Sequence, residues 1–210
     1  MRPEQSKREQ SKSVKPAKPG KRGEEASARE RLLAAANELF YREGIRSVGI
    51  DEVIAAADVA KMSLYRCFPS KDELIAAYLR ERDTKYWEWW DGVVARYPNA
   101  PREQLLALFR VLAKLPSRPG WRGCPFTNAA TEFPEPDHPA RKVAEDNKRK
   151  LRSRLRDLAR DADARDPDSL ADQLVLLFEG VYASAQTFGV SHPATRAVAA
   201  AEALLGAQLD

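Results

Sequence analysis

The 210-residue sequence has only two cysteines, Cys67 and Cys124, and two histidines, His138 and His192. That excludes a disulfide framework and a four-cysteine zinc site, and without a His–Cys cluster it argues against a metal enzyme. No apolar run approaches the ~20 residues that a membrane span needs. The first residues are basic and polar with no apolar stretch behind them, so no secretory signal is predicted. There is no Gly-rich phosphate loop, no Ser/His/Asp arrangement and no HExxH run, so neither an enzyme nor a cofactor is expected. Alternating β-branched runs are scarce, which predicts an all-α fold. With 43% hydrophobic and 31% charged residues, the composition is that of a soluble globular protein, expected to be reduced, cytoplasmic and independent of any membrane.

Charge is what the sequence distributes unevenly. Residues 1–68 carry 14 Lys and Arg against 10 Asp and Glu, whereas residues 69–210 carry 21 of each. The first 23 residues alone hold eight bases and two acids. A basic excess at one end is what a polyanion-binding segment needs, and it is also what a solubilising tail looks like. The length allows one domain or two small ones. Residues 1–25, rich in Lys, Pro, Ser and Gln without apolar periodicity, cannot bury enough surface to offset their ordering entropy and are expected to form a disordered tail.

Helical patterning begins at Ser27. Ser27 and Glu30 have the spacing of a capping box, and Leu32, Ala35, Ala36, Leu39 and Phe40 recur at helical intervals until Gly44. A short helix over 50–57 follows, presenting Ile50, Val53 and Ile54 to a core, with Gly49 at its cap position. After a tight connection at Asp58-Val59, a third helix runs from Ala60 to Phe68 with Val59, Leu64 and Phe68 inward. Pro69 cannot continue it, and Ser70 to Glu73 form a second capping box opening a helix that reaches about Trp90. Two short helices joined by a tight turn read as a helix-turn-helix, in which the second helix enters the DNA major groove. Its outward positions would be Lys61, Met62, Ser63, Tyr65, Arg66 and Cys67. Lys61 and Arg66 can donate to phosphate or guanine, Ser63 to base or backbone oxygens, and Met62 can touch a thymine methyl. Tyr65 can place its hydroxyl on a phosphate, and Lys71 opens the next helix, whose free N–H groups favour an anion. A basic helix face is equally what solvation alone produces.

The stretch from Arg31 to Gly44 resembles the first helix of TetR-family regulators, and IDEVIAAADVAKMSLYRCFPSKDEL, from Ile50 to Leu74, is similar to that family's second to fourth helices. The resemblance covers about 45 residues. It implies a homodimeric, all-helical transcriptional regulator, with a DNA-binding domain over 26–72 and a ligand-binding and dimerisation domain over 73–210. It also implies phosphate contacts by Tyr65 and Lys71 and base reading by Lys61, Met62 and Ser63. Ala60 stands where the family often has Ser or Thr, Asp58 replaces its turn glycine, and Cys67 its histidine. Val48-Gly49 replaces a Thr or Ser that would touch phosphate.

Beyond Pro98 further helices are predicted over 102–115, 124–131, 139–163, 169–188 and 194–209, broken where Pro and Gly cluster. The segment from Arg122 to Phe133 resembles one branch of the family, which implies that Cys124, Phe126, Thr127 and Asn128 line a ligand cavity. Trp87, Trp90, Phe109 and Trp121 fit either the walls of that cavity or plain core; Trp89 shares the choice. Asn128, Thr131, Glu132 and His138 are possible polar anchors. Leu174, Leu177, Phe178, Val181 and Ala185 form a broad stripe on one helix, and Val198, Ala201 and Leu205 on the last. These stripes suit an intrachain core and a four-helix dimer interface alike. The expected partners are therefore a near-palindromic DNA duplex, a small hydrophobic effector and a second copy of the chain.

Overall fold

The computed structural model describes residues 21–189 and 193–209, with the backbone alone for 21–26. All the regular structure among these residues is helical: α1 (Lys21–Glu43), α2 (Ile50–Ala57), α3 (Lys61–Cys67), α4 (Lys71–Val94), α5 (Pro101–Leu112), α6 (Pro125–Glu132), α7 (Pro139–Asp161), α8 (Pro167–Phe188) and α9 (Ala197–Leu209), with short 3-10 turns at Leu115–Ser117 and Pro193–Arg196. Helix α1 starts six residues before the expected cap, so Ser27 lies inside it. A capping box is a local preference of about 1 kcal/mol, and the strong helix formers Glu24, Glu25 and Ala26 carry the helix past it. The tail expected to be disordered lies, for residues 1–20, outside the described residues, while 21–25 are helical.

Helices α1 to α3 and the start of α4 share one core of Leu32, Ala36, Phe40, Val53, Ala57, Leu64, Phe68 and Leu74. Ile45 and Val48, in the α1–α2 turn, are buried in it as well. Asp58 ends α2 in the left-handed region at φ 49°, the conformation a short polar side chain tolerates where a glycine would otherwise serve. At the start of α2 the Gly49 N–H donates to the Glu52 carboxylate at 2.8 Å, half of a capping box. Ser70 caps α4, its hydroxyl accepting from the Glu73 N–H at 3.1 Å.

The remaining helices form a second layer in which α4, α5, α7, α8 and α9 pack on one another. Helix α7 is rich in arginine, yet Ala140, Ala144, Asn147, Leu151, Leu155 and Ala159 are buried at intervals of three and four, a single helical stripe. Phe178 has no exposed surface and packs its ring 4.9 Å from that of Phe109 and 6.4 Å from that of Trp90.

This packing corrects the reading of the α8 and α9 stripes. Leu174, Phe178, Val181, Ala185, Ala201 and Leu205 are buried inside the chain, and Leu177 and Val198 are half-buried. They face α5, α7 and each other, because a stripe that wide fills the intrachain core first. The outward apolar positions are different ones: they include Leu176, 73% exposed, and Phe188 on α8, and Ala199, Ala203 and Ala207 at four-residue intervals on α9.

Candidate functional site

Helix α3 presents two faces. Leu64 and Phe68 are buried and Val59 is half-buried, while Lys61, Met62, Tyr65 and Arg66 are exposed and Ser63 is half-buried. Met62 is 71% and Tyr65 45% exposed, unusual for large side chains with so much apolar surface. Cys67, counted outward on spacing, is half-buried and packs against the core. Burial at positions 64 and 68 sets the helix rotation, and at about 100° per residue Cys67 lies roughly 60° from Leu64, at the edge of the buried face.

The Lys61 ammonium lies 2.9 Å from the Asp51 carboxylate of α2, and that hydrogen bond, then the charge of Asp51, raises its pKa. The Arg66 guanidinium donates to the Ser63 hydroxyl at 3.1 Å. Lys71 is half-buried beside the Phe40 ring, with its ammonium 6.0 Å from the centroid. Burial lowers its pKa against the opposing charges of Glu132, Asp72 and Glu52. Arg66 and Lys71 carry donors suited to phosphate oxygens, and Met62 offers an apolar tip.

A second site lies where the first three helices meet the C-terminal layer. A cleft of about 710 Å³ is lined by Phe40, Tyr41, Gly44 and Ile45 on one side and by Trp121, Arg122, Thr127, Asn128, Thr131 and Glu132 on the other. Of the residues expected to line a ligand cavity, Trp121, Thr127 and Asn128 lie on the walls of this cleft. Trp87, Trp90 and Phe109 are instead core residues, away from these walls. Their size makes them the cheapest way to fill the space between α4, α5 and α8. The Trp87 indole N–H donates to Asp83 at 2.8 Å, which satisfies it inside the core. Phe126 and Cys124 are also buried behind the cleft. The Cys124 thiol accepts from Lys148 at 3.3 Å, and Lys148 pairs with Glu179 at 2.5 Å, which in turn accepts from the Thr127 hydroxyl at 2.8 Å. Burial works against the Lys148 charge, but Cys124 and Glu179 outweigh it and raise its pKa.

Glu132 does more than a polar anchor would. Its two carboxylate oxygens accept from the Ile45 N–H at 3.1 Å and the Arg46 N–H at 2.7 Å. The last residue of α6 thereby grips the turn between α1 and α2. Beside it Arg46 lies 5.0 Å over the Phe133 ring, which stacks on His138 at 4.1 Å, and His138 reaches Asp72 at 3.5 Å. Glu132→Ala leaves two backbone donors without their charged acceptor, an effect of about 2–3 kcal/mol. A melting temperature lower by roughly 5–10 °C is expected by calorimetry for a chain of this size. No sequence signal marked this grip, since it joins residues 86 and 87 positions apart.

A short two-helix unit with an exposed, donor-rich second helix, mounted on a helical domain with a cleft at the junction, defines a helix-turn-helix transcriptional regulator. The comparisons agree. The family model described as "Bacterial regulatory proteins, tetR family" matches residues 32–78, and that described as "Tetracyclin repressor-like, C-terminal domain" matches 101–201. The chain is similar to SCO4454, a TetR-family transcriptional regulator from Streptomyces coelicolor, at 32% identity, covering 88% of this chain and 97% of that one with a TM-score of 0.83. A TetR-type regulator from Streptomyces avermitilis is 36% identical over 83% of this chain and 98% of that one, with a TM-score of 0.70. The HTH-type transcriptional regulator YjdC of Escherichia coli (strain K12) is 26% identical over 72% of this chain and 80% of its own length. The chain belongs to the TetR family, and it is a DNA-binding regulator of transcription. Among the described residues no helix is long and apolar enough to cross a membrane.

Proposed function

We propose that this protein is a homodimeric repressor, released from a near-palindromic operator when a small effector enters its C-terminal domain. The observation that carries the reading is the exposure of Met62 and Tyr65 on a helix anchored by buried Leu64 and Phe68. Such a helix is a rigid probe, with Lys61, Met62 and Ser63 at base edges and Tyr65, Arg66 and Lys71 at phosphates. One such helix reads only a few base pairs, and twofold symmetry doubles the contact. The outward positions of α8 and α9, centred on Leu176 and the alanine row, are the dimer face we favour.

The effector expected from the sequence was hydrophobic. The cleft walls set Arg122, Thr127, Asn128 and Thr131 among Phe40, Tyr41 and Trp121, so the effector we propose carries polar groups on an apolar body. It releases DNA only by binding more tightly to a state in which the reading heads are displaced. Selection of bound fragments from a random DNA pool tests the reading. Enriched sites should contain inverted half-sites with centres about 34–36 Å apart, or in phase with that spacing. A pool that shows no enrichment, or only single half-sites, overturns it.

The Lys61–Asp51 pair yields a smaller prediction. On this reading Asp51 holds Lys61 back from the duplex and adds a negative charge near it. Asp51→Asn is expected to tighten operator binding about fivefold, measured by fluorescence anisotropy at fixed salt. Unchanged or weaker binding would place Lys61 away from the duplex.

A further inference from the structure

Adjoining the junction cleft is a smaller one of about 280 Å³, and the two share Tyr41, Trp121 and Pro125 as walls. The charged residues on the walls of the pair are Arg82, Arg118, Arg122 and Glu132. Glu132 has both oxygens occupied by the backbone N–H groups of Ile45 and Arg46. None of the three arginines forms an ion pair among the described residues, whereas Arg42, Arg149, Arg152, Arg154 and Arg160 all do. With three arginines against one carboxylate, the walls of the two adjoining clefts carry a net positive charge.

Arg82 is the most constrained of the three. Its guanidinium lies 4.5 Å from the Tyr41 ring centroid and 5.5 Å from that of Tyr78, and one terminal nitrogen donates to the Asn37 carbonyl at 3.1 Å. Its Nε is buried without an acceptor. That Nε is closed off as it stands, and a carboxylate reaches it when the guanidinium turns from the Asn37 carbonyl toward the cleft. Next to it, Trp121 and Tyr182 stack with their rings 8° from parallel and 6.2 Å apart, and both line the smaller cleft.

We propose that the paired clefts bind a small planar carboxylate, with its charged end on Arg82 and Arg118 and its flat body against Trp121. This rests on the reading of the C-terminal domain as effector-binding and narrows the effector to a chemical class. It also gives the ligand a handle on the DNA-binding unit. Arg82 belongs to α4 but bonds the Asn37 carbonyl of α1, so a carboxylate that recruits the guanidinium competes with a contact between the two layers.

The test uses the full-length protein, with binding followed by calorimetry and tryptophan fluorescence. Benzoate and trans-cinnamate are compared with benzamide and cinnamamide, which keep the shape and lose the charge, and with inorganic phosphate, which keeps charge and loses the plane. The acids should bind at least tenfold more tightly than their amides and than phosphate. Arg118→Ala, at an exposed position, and Arg82→Lys, which keeps the charge but not the fork, should each reduce that preference severalfold while circular dichroism stays unchanged. Amides or phosphate binding as well as the acids, no binding by any acid, or a preference that survives both substitutions overturns the site. A parallel measurement with operator DNA separates the two claims: acids that bind without releasing DNA leave the site standing and refute the effector role.

Discussion

The double substitution Tyr65→Ala with Lys71→Ala is expected to weaken binding to every DNA sequence by about two to three orders of magnitude at moderate salt. Both side chains sit at the junction of α3 and α4, Tyr65 exposed and Lys71 half-buried, where they would meet the sugar–phosphate backbone and not the base edges. Such contacts position a recognition helix and carry no sequence information, so operator and random duplex should lose affinity together. Their number doubles in a dimer. Loss of two lysine–phosphate contacts lowers the slope of log affinity against log salt by about 2, since each contributes about 0.9. Tyr65 leaves the slope alone because its hydroxyl is neutral. Lys71 has a further property: burial already disfavours its charge, and a neighbouring phosphate would restore it. Measurement of affinity between 50 and 200 mM salt, on operator and random duplex in parallel, decides the matter. Unaltered affinity would remove both residues from the interface; a loss confined to the operator would make them base readers.

How much of this site the sequence made legible follows from how local each feature is. The rotation of α3 is set by Leu64 and Phe68, four residues apart, and spacing alone separates them from Met62 and Tyr65, although it misplaces Cys67 at the edge. Asp58 could be read as a turn residue because left-handed tolerance is a property of the side chain itself. The C-terminal layer resisted for the opposite reason. Its stripes announce that Leu174, Phe178 and Ala201 are buried, but periodicity carries no information on which neighbour buries them. The tryptophans posed the same ambiguity: an aromatic that lines a cavity and one that fills a core have identical spacing. The grip of Glu132 on the α1–α2 turn and the stacking of Arg82 on Tyr41 each join elements far apart in the chain, and only the tertiary structure brings them together. Ile45 and Val48 were missed because a turn between two helices gives no periodic signal, although both complete the core of the first three helices.

The same distinction between inward and outward residues makes Phe178 and Leu176 an informative pair, two positions apart on α8 with opposite environments. Phe178 is fully buried between Trp90 and Phe109. Phe178→Ala opens a cavity in the aromatic cluster it shares with Trp90 and Phe109, and such truncations cost about 3–5 kcal/mol. At roughly 2–4 °C per kcal/mol for a chain of this length, the melting temperature should fall by about 10 °C. Leu176, 73% exposed, contributes little to the fold of one protomer. Leu176→Glu should keep the circular dichroism spectrum of the parent. Against a twofold axis, however, each protomer would bring a carboxylate into an apolar face beside its symmetry mate, and burial of two unpaired charges is far more costly than loss of one leucine. Light scattering should report a monomer, and operator affinity should fall by at least about 100-fold, because a single half-site keeps only one set of contacts and loses the gain from linked binding. If Leu176→Glu remains dimeric while Phe178→Ala dissociates without unfolding, the stripe read from spacing is the interface after all, and the two protomers must exchange or open α8 to reach it.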